Sequence, residues 1–128
     1  GTSVRTLFHI SGHGREIRTS GEMLRGNEGA LGGAIYFAES VKNCERKCES
    51  NGWLIQAKVL TGRAKIIQSF QLGSYPTTYT FTKLQKEGYD SIQLEGFSSG
   101  TEFAIYNSDQ IEILSVERLC HGKHAVTT

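Results

Sequence analysis

The sequence has almost no excess of charge of either sign and no long hydrophobic stretch. Its 128 residues include 14 Lys and Arg and 13 Asp and Glu, for a formal net charge of +1. Non-specific binding of nucleic acid depends on many Lys and Arg contacts to phosphates, so this balance argues against a nucleic-acid partner without excluding one. No apolar run approaches the ~20 residues of a membrane-spanning helix, and we recognise no secretory signal peptide. We therefore expect no association with a membrane.

Cysteine and proline are also scarce. The three cysteines are an odd number at uneven spacing, which argues against a disulfide framework and predicts an intracellular, reducing compartment such as the cytoplasm or nucleus. One proline beside 15 glycines predicts tight turns rather than linkers or low-complexity segments. The length fits a single domain over residues 1–128, with a core of about residues 4–118 and a tail over 119–128. We expect a monomer that folds without a metal.

Hydrophobic patterning predicts an α+β domain. Seven short segments have the composition or the alternation of strands: residues 4–10, 34–38, 53–60, 64–67, 91–94, 102–106 and 111–116. Helices are predicted at residues 16–24, 39–49 and 80–87, the last one ending at Gly88, and residues 70–79 are predicted to be irregular. Many short strands with few short helices favour antiparallel or mixed sheet.

Three polar residues interrupt strands that are otherwise apolar. His9 lies in the first strand, Tyr36 lies in the second, and Glu102 opens a later one. Each alone is more often structural, as a hydrogen-bonded core histidine, a buried tyrosine or a carboxylate at a strand end. A glycine-rich stretch over residues 26–33 lacks the spacing of a Rossmann or P-loop motif. The glycines alone would only shape a turn, but glycines and polar residues together suggest a binding site.

Four segments carry a more specific signal: LFHIS at residues 7–11, LGGAIYFA at 31–38, GYDSI at 88–92 and TEFAIY at 101–106. In this order they resemble the catalytic domain of poly(ADP-ribose) polymerase-like (PARP-like) ADP-ribosyltransferases, the diphtheria-toxin-type branch with a His-Tyr-Glu triad. The resemblance covers about residues 7–116. It implies a compact ADP-ribosyltransferase-type α+β fold, with two small, mostly antiparallel sheets that form an NAD cleft and short flanking helices.

The same resemblance implies NAD⁺ as co-substrate and gives the triad residues their roles. The Glu102 carboxylate would stabilise the positive charge that develops on the ribose when nicotinamide leaves. His9 would bind a hydroxyl of the adenosine ribose, and Tyr36 would stack on nicotinamide or ribose. These three residues are the implied catalytic set. The residues implied to contact NAD⁺ are His9, Ile10, Ser11, Gly33, Tyr36, Phe37, Ala38, Cys44 and Lys47.

Three positions depart from the family pattern. Ile10 stands where the family has a glycine whose main chain clamps the nicotinamide amide, and an isoleucine backbone can keep that clamp. Read without gaps, Cys44 falls where the family has a hydroxyl and Lys47 where it has a second stacking tyrosine, and neither residue preserves that chemistry. An alignment that takes His13 as the family histidine would break the strand with a glycine on either side, so we favour the earlier histidine.

The sequence therefore predicts an NAD⁺-dependent ADP-ribosyltransferase that modifies a side chain of an acceptor protein and releases nicotinamide. Mono-ADP-ribosylation is favoured because little sequence remains for the regulatory helical region or the long acceptor loop associated with polymer formation. The alternative is a catalytically degenerate PARP-like module that binds NAD⁺, ADP-ribose or a protein partner without turnover. The triad residue types favour the enzyme, whereas Cys44 and Lys47 favour the module.

Cysteine and histidine also suggest one alternative metal site. Cys44 and Cys48 are spaced to share one helical face, and Cys120 and His124 lie near the C-terminus. Thiolate and imidazole are ligands that zinc prefers, but these spacings are not those of a standard zinc finger. We expect free thiols and no metal, with zinc held by these four residues as the alternative.

Overall fold

The computed structural model describes residues 3–23, 31, 33–41, 52–74, 80–98 and 100–118. These residues form a mixed α+β structure, which confirms the predicted class. The seven described strands are β1 (Val4–Ser11), β2 (Ile35–Ala38), β3 (Trp53–Leu60), β4 (Ala64–Gln68), β5 (Ser91–Glu95), β6 (Glu102–Ile105) and β7 (Ile111–Arg118). Two complete α-helices are described, α1 (Gly14–Ser20) and α2 (Phe81–Lys86), together with short 3-10 helices at Ser69–Ser74 and Ser108–Gln110.

The strands form one seven-stranded sheet in the order β4-β5-β6-β2-β1-β3-β7. Only β4 and β5 run parallel; the other described neighbours are antiparallel. The expectation of two separate sheets was therefore wrong. One half of the sheet consists of β4, β5, β6 and β2, and the other of β1, β3 and β7. The two halves are joined by the pairing of β1 with β2, for which the described residues show the single register position Phe8↔Ala38. The sheet is continuous, with a narrow seam between β1 and β2.

Side chains alternate across this sheet and form a hydrophobic cluster on each face. Neighbouring residues of β6 show the division, since Phe103 packs in one cluster and Ala104 in the other. The first cluster includes Ile17 and Met23, so α1 covers its face of the sheet. The second includes Leu84 of α2. Each face of the sheet is therefore packed against a different short helix.

Close contact between α1 and β3 decides where α1 lies. A Cβ atom on Gly14 would come within 2.1 Å of the Trp53 ring, so only glycine allows this approach. The helix ends at Gly21, whose φ of 74° is left-handed and whose N–H bonds to the Ile17 carbonyl at 2.8 Å. The helix predicted over residues 16–24 thus begins and ends earlier in the structure. The sequence does not show that Gly14 packs against Trp53, and this contact fixes where the helix begins.

The second helix was predicted more closely. The Thr80 hydroxyl accepts a hydrogen bond from the Lys83 N–H at 3.2 Å and caps the N-terminus of α2. Gly88 follows with a φ of 92°, which confirms the predicted glycine termination. The connection predicted to be irregular over residues 70–79 overlaps the 3-10 helix Ser69–Ser74, so its first part is helical. Residues 75–79 and most of the predicted helix 39–49 lie outside the described residues. Within the described part of the chain, no helix is long and apolar enough to cross a membrane.

Candidate functional site

A cavity of about 480 Å³ opens between α1 and the seam of the sheet. Three of the residues predicted to bind NAD⁺ line it, namely His9, Ser11 and Tyr36. Most of its remaining wall comes from the first helix, the turn after it and the start of β2: His13, Glu16, Ile17, Ser20, Glu22, Met23, Ala34 and Ile35. The volume is within the range of pockets that hold small molecules and cofactors.

His9 joins the two strands of the seam. Its Nδ1–H donates a hydrogen bond to the Tyr36 carbonyl at 2.5 Å, so a neutral imidazole carries its acceptor nitrogen at Nε2. The ring also lies against Phe37, with 5.6 Å between the ring centroids. A side chain thus bridges β1 and β2 just beyond their register pair Phe8↔Ala38. The histidine is fixed in orientation, as a residue that positions a ligand needs to be.

Tyr36 and Glu102 share the face of the sheet opposite to His9. Tyr36 is paired with Ala104 and Glu102 with Ala38, so the two side chains are diagonal neighbours on one face. Such neighbours lie about 7–8 Å apart, within reach of long side chains. His9 projects to the other face beside Phe37. The triad residue types therefore meet at the seam: His9 and Tyr36 both line the cavity there, although their side chains leave the sheet on opposite faces, and Glu102 lies on the Tyr36 face.

The environment of Tyr36, including Glu102, alters the pKa of its phenol. Burial raises the pKa of the Tyr36 phenol above its ordinary value, the Leu31 backbone lowers it, and the Glu102 carboxylate raises it further. A nearby negative charge disfavours a phenolate, so the phenol stays protonated and can donate a hydrogen bond at neutral pH. The Glu102 side chain is half-buried and forms no hydrogen bond or ion pair with any described residue. It can therefore accept a hydrogen bond from a ligand hydroxyl.

Leu31, just before β2, is anchored by a residue whose role the sequence did not indicate. The buried Tyr106 hydroxyl donates a hydrogen bond to the carbonyl of Leu31, which is itself fully buried. Gly33, two residues further on, has a φ of 90°, which a side chain would strain. The anchor and the glycine together fix the direction in which the chain enters β2. Tyr106 follows an apolar strand, so its pattern predicted only core packing.

The other residues predicted to contact NAD⁺ divide into three groups. Ile10 and Ala38 are partly buried at the seam. Phe37 has no exposed surface and packs in the core, so neither its side chain nor its backbone is open to a ligand in this structure. Cys44 and Lys47 lie outside the described residues, and their predicted roles stay predictions.

The alternative zinc site cannot be placed either. Its candidate ligands Cys44, Cys48, Cys120 and His124 all lie outside the described residues. In the part of the chain that the structure does describe, no group of three or more His, Cys, Asp or Glu side chains could hold a metal ion. The absence of a metal remains a prediction.

His13, Glu16, Ser20 and Glu22 are the polar cavity residues that sequence reasoning missed. Glu16 and Ser20 are one helical turn apart, so the sequence places them on the same face of a helix. The same spacing is also typical of a helix face exposed to solvent, and it therefore did not indicate a cavity. His13 was considered only as an alternative to His9, and the structure places both on the same cavity. No protein-family model and no curated protein matches the chain.

Proposed function

We propose that this chain is the catalytic domain of an NAD⁺-dependent ADP-ribosyltransferase of the His-Tyr-Glu type. It would transfer one ADP-ribose unit to a side chain of an acceptor protein and release nicotinamide. One observation carries the proposal: the seam between β1 and β2 brings His9, Ser11 and Tyr36 to one cavity, and Glu102 lies near Tyr36. A monomeric, intracellular enzyme remains part of this proposal.

The two faces of the seam suit the two halves of a dinucleotide. On the cavity side, the fixed His9 ring and the Ser11 hydroxyl are suited to the hydroxyls of an adenosine ribose. On the opposite side, the Tyr36 ring offers an aromatic face, and Glu102 offers a carboxylate beside it. Because β1 and β2 pair at one register position only among the described residues, main-chain groups beyond that position can bind the nicotinamide amide.

The chemistry needs little beyond this arrangement. The bond between the ribose carbon and the nicotinamide nitrogen breaks, and its electron pair leaves with the nitrogen, which becomes neutral. Positive charge then builds on the ribose, where a carboxylate held in place lowers the barrier. The acceptor side chain forms the new bond to the same carbon and loses a proton. Glu102, with no other described partner for its carboxylate, is suited both to stabilise the ribose and to polarise the nucleophile.

The alternative function is a module of the same fold that binds NAD⁺, ADP-ribose or a protein without turnover. It is favoured by the identity of Cys44 and Lys47, which replace a hydroxyl and an aromatic ring of the family pattern. A lysine charge beside the nicotinamide would repel the positively charged pyridinium of NAD⁺. The module differs from the enzyme in one measurable respect, the release of nicotinamide.

The test is incubation of the purified protein with NAD⁺ labelled in its adenosine half, in the presence of a cell lysate. Labelled protein that disappears with Glu102→Gln, but not with the exposed control Glu112→Gln, supports the transferase. Free ADP-ribose alone would show a glycohydrolase, and NAD⁺ binding without product would favour the module. If NAD⁺ neither binds nor reacts, the proposal is wrong.

A further inference from the structure

Two tyrosines and the candidate catalytic glutamate lie on the same face of the sheet. Tyr36 pairs with Ala104; Glu102 comes two residues before Ala104 in the chain, and Tyr106 comes two residues after it. Tyr106 packs in the same hydrophobic cluster as Ala104, and Tyr36 packs against that cluster. Side chains at such diagonal positions lie about 7–8 Å apart. Tyr36 therefore has Glu102 on one side and Tyr106 on the other.

The backbone of Leu31 links the two tyrosines. The Tyr106 hydroxyl donates a hydrogen bond to the Leu31 carbonyl. Burial raises the pKa of the Tyr36 phenol, and a hydrogen bond with the Leu31 backbone opposes this by lowering it. Only a donor stabilises a phenolate, so the group that contacts Tyr36 is the Leu31 N–H. The carbonyl and the N–H of one residue are thus each bound to one of the two phenols.

The two ends of this link differ in their surroundings. Tyr106 has only 4% of its surface exposed, and Leu31 has none. The Tyr106 ring stacks on Phe81, the first residue of α2, with 6.1 Å between the ring centroids and 22° between the ring planes. Close packing of this kind leaves a buried ring little room to move. Tyr36, at the other end, is only half-buried and lines the cavity. The link therefore runs from the packed core to the cavity wall.

The Leu31 contact also decides what the Tyr36 hydroxyl can do. A phenol oxygen accepts hydrogen bonds and its O–H donates one. Because the Leu31 N–H occupies one acceptor direction of the Tyr36 oxygen, the O–H must point in one of the directions that remain. The Glu102 carboxylate lies on the same face of the sheet, and the cavity lies beside the ring. A shift of Leu31 would turn the Tyr36 hydroxyl away from both.

We propose that Tyr106 is a positioning residue of the candidate site: through the backbone of Leu31 it fixes the place and direction of the Tyr36 hydroxyl in the cavity wall. The positioning itself does not depend on the transferase activity, whereas its consequence for NAD⁺ binding rests on the proposed function. A side chain that binds a ligand precisely needs such support from packed neighbours. Tyr106 provides it from the side of Tyr36 opposite to Glu102.

The test follows Tyr36 itself in the variant Tyr106→Phe. Isotope-labelled tyrosine gives a Cζ resonance for Tyr36, assigned by its loss in Tyr36→Phe and recorded while the pH is raised through the folded pKa. In Tyr106→Phe the Leu31 carbonyl loses its donor, and Leu31 is no longer held against Tyr36. The hydrogen bond that lowers the Tyr36 pKa then weakens, so we expect this pKa to rise. The direction is opposite to the fall expected for Glu102→Gln.

Control variants separate positioning from a general loss of stability. Tyr89→Phe is the matched hydroxyl deletion, because Tyr89 also packs against the second cluster but lies beneath the guanidinium group of Arg63. Ile67→Val removes one buried methyl group from the same cluster, on the edge strand β4, and lowers stability without touching the link. Both should leave the Tyr36 resonance and pKa as in the wild type. If Tyr106→Phe does not fold, Phe81→Leu, which loosens the stacked ring and keeps its hydroxyl, should raise the Tyr36 pKa by a smaller amount.

Calorimetric titration of NAD⁺ extends the test to the proposed function. Tyr106→Phe should weaken NAD⁺ binding about two- to tenfold, which corresponds to the net contribution of one hydrogen bond, and Ile67→Val should bind as the wild type does. A changed Tyr36 pKa in a chain that does not bind NAD⁺ would support the positioning role and refute the transferase. An unchanged Tyr36 pKa in Tyr106→Phe would overturn the positioning role, whatever happens to NAD⁺. An equal change in Ile67→Val would overturn it too, since any loss of stability would then produce the effect.

Discussion

Replacement of Glu102 by glutamine is the sharpest test of the candidate catalytic centre. The change removes one negative charge and keeps the size and shape of the side chain. Glu102 is half-buried at the start of β6, paired with Ala38 on one side and Leu94 on the other. No described residue forms an ion pair with it, so the substitution breaks no known structural contact. Loss of activity can then be assigned to the charge itself.

The expected size of the effect follows from electrostatics. A full positive charge about 4 Å from the carboxylate would be stabilised by about 4 kcal/mol at an effective dielectric constant of about 20. The charge on the ribose is only partly developed in the transition state, so we expect about 3–4 kcal/mol, or a rate loss of roughly 10²–10³-fold. The ribose of bound NAD⁺ carries little of this charge before the bond breaks. NAD⁺ affinity should therefore change by less than about fivefold.

Two measurements decide the outcome. Single-turnover release of nicotinamide gives the rate, and calorimetric titration gives the affinity for NAD⁺, with Glu112→Gln on the outer strand β7 as the charge-matched control. Independently of activity, the pKa of Tyr36 should fall in Glu102→Gln, because the glutamate charge is one of the causes that raise it. An unchanged turnover rate would refute the catalytic role. An unchanged Tyr36 pKa, followed by NMR, would refute the placement of the two side chains.

Three further substitutions test the seam and its support. His9→Ala should weaken NAD⁺ binding by about 1–3 kcal/mol through the loss of a hydrogen bond, and wild-type affinity by calorimetry, with native circular dichroism, would contradict it. Because the pKa of Tyr36 is raised above 10.0 in the folded chain, its contribution to stability is complete below pH 10 and is lost as the pH rises through the folded pKa. Tyr36→Phe should therefore lower the unfolding free energy less above pH 10 than at about pH 8. Equal losses of unfolding free energy at the two pH values would contradict this reasoning. Tyr106→Phe removes the donor to the buried Leu31 carbonyl and should lower the unfolding free energy by about 1–3 kcal/mol, so an unchanged denaturation midpoint would exclude the anchor.

The sequence predicted the strands well because their pattern is local. In β3, buried residues alternate with more exposed ones from Trp53 to Leu60, and a period of two is visible in any short window. The way the strands join could not be predicted in the same way. Continuity of the sheet depends on the pairing of Phe8 with Ala38, a contact between residues far apart in the chain that leaves no mark on either segment. The expected two sheets were wrong for that reason.

The candidate site shows the same division between local and distant information. His9, Tyr36 and Glu102 could be selected because each is a polar residue in an apolar strand. Their positions on two faces of the seam follow from pairing, which the strands do not encode individually. The contacts of Arg18 and Arg118 with Trp53 were not predicted at all, since these residues meet only in the folded chain. Charged residues at helical spacing usually indicate a solvated surface.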